Sequence, residues 1–247
     1  MLGTLVNIAA IVLLGCVGLI FKKAISEKCS DLLMKGIGLC VIYIGIAGSL
    51  SAGDSISPYD TNSLITIIAM TVGGIIGHAL KLDYRMNRLG EKVQEKLAKG
   101  DSKSTIAEGF VTASLIYCVG AMAIVGSLQS GLNGDHDTLF IKSLLDGIMS
   151  IILAAQLGFG VLLSAIPVLI YQGTITLCAQ WIEPFLSTLV IAEMNCIGYI
   201  LIIAIGLNIA KITKFKVMNY VPGVLIAGIM AYIIEKIPAV YNFLYTV

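Results

Sequence analysis

Around its charged centre the stretch Thr138–Cys178 reads Lys142-Ser143-Leu144-Leu145-Asp146-Gly147, and the aliphatic sequence enclosing it is long enough to cross a bilayer twice. Within Thr138–Cys178 only Lys142 and Asp146 carry charge, and they stand four apart, on one face of a helix. A helix starting at Thr138 places Asp146 about 12 Å along its axis, well inside a hydrocarbon slab about 30 Å thick. An ionisable residue at that depth costs roughly 2.5–3.5 kcal/mol on insertion scales, so it needs a partner or a water-filled surrounding.

Hydrophobic residues make up 57% of the 247-residue chain and charged residues 13%. A soluble domain has about a quarter of its residues charged. The apolar excess falls in runs of about twenty residues, which is the pattern of membrane spans. The expected fold is therefore an all-α, polytopic transmembrane bundle forming a single domain over residues 1–247. Its eight segments fall at about 2–21, 32–51, 62–80, 107–129, 138–157, 159–179, 189–210 and 219–236. The first run has no basic region ahead of it and no cleavage pattern after it, and it reads as a retained span.

Three of the connecting stretches are basic. Lys22, Lys23, Lys28 and Lys35 follow the first segment, Lys81 to Lys103 hold seven basic residues after the third, and Lys211, Lys214 and Lys216 follow the seventh. The loops on the other side carry Asp54, Asp60, Asp135, Asp137 and Glu183 with no Lys or Arg. The positive-inside rule makes the basic side cytoplasmic, with both termini extracytoplasmic. In the second basic stretch Leu82, Met86, Leu89, Val93 and Leu97 recur every three or four residues between charges. That spacing predicts an amphipathic helix over about 82–99, lying on the cytoplasmic membrane surface or serving a partner or regulator.

Gln156-Leu157-Gly158-Phe159-Gly160 joins the fifth and sixth segments without charge, unlike the other connections. Either two full spans meet there in a tight cytoplasmic hairpin, or two half-helices enter from outside and turn back within the protein. Glycine- or proline-interrupted apolar segments are a pointer to transporter binding sites, and Pro167 follows closely.

In the fifth segment Lys142 or Ser143, Asp146, Ser150, Ala154 and Gly158 form one small or polar stripe, which should face the bundle interior. Two readings stay open. The pair neutralises itself while small residues permit close packing, or Asp146 carries a proton or cation, alone or with Lys142 as the counter-charge for a zwitterion. Gln156, Ser164 and Gln172 add hydrogen-bonding groups for a path, Glu108 stands at the cytoplasmic mouth, and Thr174 and Thr176 lie nearby. Asn7, Asn62, Asn195, Asn208 and Asn219 lie near segment ends, where interfacial hydration explains them; Glu193 is read as an interface or a cavity residue.

Other chemistry finds little support. Asp135-His136-Asp137 reads as a solvated loop, because three adjacent residues do not face one ion. The six cysteines form no CxxC pair and read as reduced and mostly buried. Neither nucleotide-loop, hydrolase or zinc-protease motifs nor a basic–aromatic nucleic-acid patch is present. No cofactor, metal or enzymatic activity is therefore expected. Gly73-Gly74 with Gly77 reads as helix packing, and such small-residue stripes also suit a homodimer.

The opening Met1-Leu2-Gly3-Thr4-Leu5-Val6-Asn7, the block Ala107-Glu108-Gly109-Phe110-Val111-Thr112-Ala113-Ser114-Leu115 continuing to Gln129, Lys142 to Gly147, and Ser164-Ala165-Ile166-Pro167 to Gly173 together resemble the YqgA/YdfK-like family of bacterial inner-membrane proteins. The likeness implies a bacterial plasma-membrane protein and brings no catalytic residues. From the residues themselves, the leading expectation is a small secondary transporter or channel for an ion or small polar solute. In it Asp146 binds or couples the ion, Lys142 is its counter-charge or gate, and Ser150, Gln156, Ser164 and Gln172 line the path. The alternative is a non-transporting scaffold or regulator acting through the amphipathic helix.

Overall fold

Asn62 has an extended backbone and its side-chain oxygen accepts from the Leu64 N–H at 2.9 Å; Ser187 caps Val190 in the same way at 3.2 Å. Such caps, and the prolines Pro222 and Pro238 at first-turn positions, start helices in a chain that has little else to start them. A computed structural model describes residues 1–22, 27–54, 61–85, 88, 105–118 and 121–245, and among them no strand occurs. The helices are α1 (Leu2–Lys22), α2 (Glu27–Asp54), α3 (Ser63–Ala79), α4 (Thr105–Cys118), α5 (Ala121–Leu132), α6 (Asp137–Leu157), α7 (Gly160–Leu163), α8 (Ala165–Leu177), α9 (Ala179–Ile182), α10 (Thr188–Ile209), α11 (Pro222–Glu235) and α12 (Pro238–Tyr245).

Five helical stretches among the described residues are long and apolar enough to cross a membrane: Leu2–Phe21, Asp137–Leu157, Gly160–Leu177, Thr188–Ile209 and Val217–Glu235. A sixth counts if Ile106–Cys118 and Met122–Leu132, inclined 60° to each other, are one broken span. The all-helical membrane bundle is thus as expected, while the count of eight is not confirmed among the described residues. Ser63–Ala79 is apolar but shorter, and a helix of about seventeen residues spans about 26 Å, less than the ~30 Å hydrocarbon thickness; Lys35–Ser51 is the apolar part of the longer α2. The fifth and sixth segments are each of spanning length, the first of the two alternatives, and Gly158 turns between them at φ +77° and ψ −152°, backbone that a side chain would strain. Of the surface helix expected at 82–99, residues 82–85 are helical; 86, 87 and 89–99 lie outside the described residues.

The helices gather into two compact units. The first is built chiefly from Met1–Gly36, Tyr84–Cys118 and Met122–Gln180, the second from Ile37–Asp83 and Trp181–Val247. In the first, α1 runs parallel to α6 at close range. A Cβ on Gly3 would meet the Leu139 side chain, one on Gly147 the Leu14 side chain, and one on Gly18 the Ile151 carbonyl oxygen. Two apolar helices gain nothing hydrophobic by leaving lipid for each other, so backbone approach over small residues supplies the attraction. Antiparallel to α6, α4 places Gly109 on Leu157, and Gly160 abuts the Ile106 carbonyl. Helix α8 returns alongside α1.

In the second unit α3 and α10 are parallel, and α11 runs against both, with Gly73 on Gly223, Gly77 on the Asn219 carbonyl and Gly228 on Met194. The second half of α2 runs antiparallel to α10 through Gly45 on Ile203 and Gly48 on Tyr199. Helix α12 folds back so that Tyr241, Leu244 and Tyr245 close over Ile65, Ile197 and Ile234.

Candidate functional site

The polar stripe of α6 is turned inward and its aliphatic face outward. Lys142, Ser143, Asp146 and Ser150 are buried, whereas Ile141, Leu144, Leu145, Ile148 and Ile152 are exposed. That is the reverse of a water-soluble helix and the arrangement lipid demands.

Lys142 Nζ sits 3.0 Å from Asp146 Oδ1 and 2.9 Å from Oδ2, a buried pair across one helical turn. Asn7 of α1 is completely buried and its Nδ2 donates to Asp146 Oδ2 at 3.0 Å and to Gln172 Oε1 of α8 at 3.3 Å. The carboxylate therefore fixes the amide of Asn7, because only an N–H can face it, and Asn7 in turn fixes Gln172. Both amide orientations follow from the charge. What remains is a set of buried atoms with no protein partner: Asn7 Oδ1, Gln172 Nε2, Thr4 Oγ1 and Thr176 Oγ1. Thr4 precedes Asn7 by one turn on α1 and Thr176 follows Gln172 by one turn on α8, so these groups continue the same faces toward the same end of the unit.

Below them a second chain of hydrogen bonds runs inward. Ser150 Oγ donates to the Asp146 carbonyl at 2.8 Å, and the fully buried Tyr117 hydroxyl lies 2.7 Å from Ser150 Oγ. With the serine proton spent on the carbonyl, Tyr117 is the donor to Ser150. At the Thr138 end, Thr138 Oγ1 donates to Gln129 Oε1 at 2.7 Å, and His136 Nδ1 lies 3.0 Å from Ser130 Oγ.

Of the residues singled out in the sequence, Lys142, Asp146 and Gln172 are thus joined through Asn7, and Ser150 through the backbone. Gln156 is buried but ten residues further along α6, about 15 Å away at helical rise. Ser164 is also buried and donates to the Val161 carbonyl at 2.6 Å, while Glu108 is exposed in the first turn of α4. These three lie toward the end of the unit where α6 turns into α7, apart from Asp146. The expectation of hydrated asparagines changes. Asn7 does not sit hydrated at an interface but binds Asp146, Asn62 spends its side chain as a helix cap and on the Leu244 carbonyl at 2.9 Å, and Asn195 and Asn219 are buried, Asn219 accepting from the Asp83 N–H at 3.0 Å. Thr4 and Tyr117 join the site without having been candidates in the sequence. Their signal was there in part, since Thr4 and Asn7 share a helix face in an otherwise apolar run.

The second unit holds another acid. Glu193 on α10 is completely buried, and its Oε1 accepts from the Asn62 N–H and the Tyr245 hydroxyl, each at 2.7 Å, leaving Oε2 without a partner. Burial pushes the Tyr245 phenol well above its ordinary range, and its bond to the acid pushes in the same direction. No group of three or more His, Cys, Asp or Glu suited to a metal occurs among the described residues.

Residues 2–232 match the family described as "Protein of unknown function (DUF554)". Among curated proteins the chain is 36% identical over 235 residues to "Uncharacterized membrane protein YdfK" of Bacillus subtilis (strain 168), covering 95% of this chain and 97% of that one. It is 27% identical over 229 residues to "Uncharacterized protein YqgA" of Escherichia coli (strain K12), covering 92% and 94%. No solved structure matches the chain significantly.

Proposed function

The chain belongs to the DUF554 family, and from that premise we propose that it is a small secondary transporter or channel for an ion or small polar solute, with its path in the first helical unit and no catalytic chemistry of its own. The membrane is the bacterial plasma membrane in this reading, with the Lys-rich loops cytoplasmic and both termini outside.

One observation supports the reading above the rest: four buried polar atoms, on Thr4, Asn7, Gln172 and Thr176, lack protein partners in helices that also carry the Lys142–Asp146 pair. A bundle packed only for stability has no use for unpaired donors and acceptors, each of which costs about 1–3 kcal/mol when buried. A path that lends hydrogen bonds to a passing solute needs them. Asp146 is the anchor of the path and Lys142 its counter-charge or gate; Tyr117 and Ser150 continue it inward, toward Gln156, Ser164 and Glu108.

The test is flux in proteoliposomes across a panel of inorganic ions, amino acids and small neutral solutes. Wild type should move a member of the panel, and Asp146→Asn should abolish that flux in protein shown to be folded. Unchanged flux in the variant removes Asp146 from the mechanism. The scaffold alternative predicts the converse, a phenotype lost on charge reversal at Arg85, Arg88 and Lys92 with Asp146→Asn silent.

A further inference from the structure

We propose that Glu193, in the second unit, is the seat of a monovalent cation, a proton or a sodium ion, held on its Oε2 oxygen. Its surroundings carry the inference. The side chain has no exposed surface, Oε1 is fixed by a backbone N–H from the cap of α3 and by the Tyr245 hydroxyl of α12, and Oε2 has nothing. A buried carboxylate without a counter-charge is far costlier than one with it, and the compensation has to come from somewhere. In the first unit Lys142 gives it to Asp146.

Among the described residues none does so for Glu193. Helix α12 brings Tyr241 and Tyr245 to this end of the unit, and α11 brings Tyr232, Glu235 and Lys236. Lys236 Nζ is turned over the Tyr232 ring, 5.3 Å from its centroid, and no ion pair to Glu193 occurs among the described residues. From α3 come Thr66, which pairs with Cys196 at 3.7 Å, and apolar Ile65 and Ala69. The two bonds on Oε1 leave one oxygen of one carboxylate free, which suits a singly charged cation. A divalent ion on one carboxylate would leave a net positive charge buried in the unit. The inference does not depend on solute passing through the first unit, since a cation can occupy Glu193 whether or not the protein transports anything.

The test uses the purified full-length protein in lipid nanodiscs and the hydrophobic carboxyl reagent dicyclohexylcarbodiimide, with the adduct located by mass spectrometry. Glu193 should be labelled and Asp146, held in its ion pair, spared. If the cation is a proton, the rate at Glu193 should fall about tenfold per pH unit above the titration point, following the protonated fraction. If it is sodium, replacing choline chloride by sodium chloride should slow labelling at constant pH. A reagent-free readout runs in parallel, in which lower pH or added sodium raises the melting temperature of wild type more than that of Glu193→Gln. Failure to label Glu193 combined with identical melting responses in the two proteins overturns the proposal. So does labelling at a rate indifferent to both pH and sodium.

Discussion

Asp146 and Glu193 are both acids sealed inside helical bundles, and the two units hold them by opposite means. In the first unit the charge is matched by Lys142 one turn earlier on the same helix and relayed through Asn7 to Gln172, while the unsatisfied atoms are the neutral amides and hydroxyls around it. In the second the hydrogen bonding is good on one oxygen, and the unsatisfied atoms include the other oxygen of the charged group itself, together with the amide nitrogen of Asn195. Charge balance leaves the first unit able to offer hydrogen bonds to a solute. Charge imbalance leaves the second asking for a cation.

The comparison breaks or holds first on stability. Lys142→Met leaves the buried Asp146 uncompensated and should destabilise the protein by about 3–5 kcal/mol, read from thermal or denaturant unfolding in detergent. Adding Asp146→Asn to it should recover most of that loss. Glu193→Gln should have the opposite sign, raising stability by on the order of 1 kcal/mol at high pH without sodium, because it removes a buried charge that no described residue pairs with. Destabilisation by Glu193→Gln under those conditions would mean the second unit balances its acid after all.

A smaller loss tests the relay within the first unit. Asn7→Leu removes a hydrogen bond to a charged acceptor and should cost about 1.5–3 kcal/mol in unfolding measurements. It should also lower flux, since Gln172 then loses the donor that orients it. A loss of stability with flux intact would show that Asn7 only ties α1 to α6.

How much of this the sequence discloses depends on the range of the interaction. The stripe Lys142, Asp146, Ser150 is legible because it is written within one helix, where spacing decides which side chains share a face. Segment positions follow from hydropathy for the same reason. The bond from Asn7 to Asp146 joins residues 139 apart, and nothing local in Leu2–Lys22 tells that Gly3, Gly18 and Gly147 let α1 and α6 lie parallel in contact. Near a helix end an asparagine reads equally well as hydrated. Glu193 is hidden likewise, being placed one turn into α10 where an interface position is natural, until α12 folds back and buries it.

The least perturbing substitution asks the sharpest question about the first unit. Thr176 is 6% exposed and its hydroxyl has no partner. Thr176→Val keeps the branched shape and removes the oxygen, so it relieves a buried unpaired group and should stabilise the protein slightly, by about 0.5–1 kcal/mol. If the hydroxyl belongs to a solute path, flux should fall at the same time, giving gained stability with lost function, as expected where a site is held unsatisfied for use. Glu193→Gln gains stability by shedding a charge, Thr176→Val by shedding a neutral hydroxyl. Their effects on transport separate a unit that binds the solute from one that binds the cation. Flux unchanged in Thr176→Val, with the stability gain present, would reduce that hydroxyl to a packing imperfection and confine the path to the neighbourhood of Asn7 and Gln172.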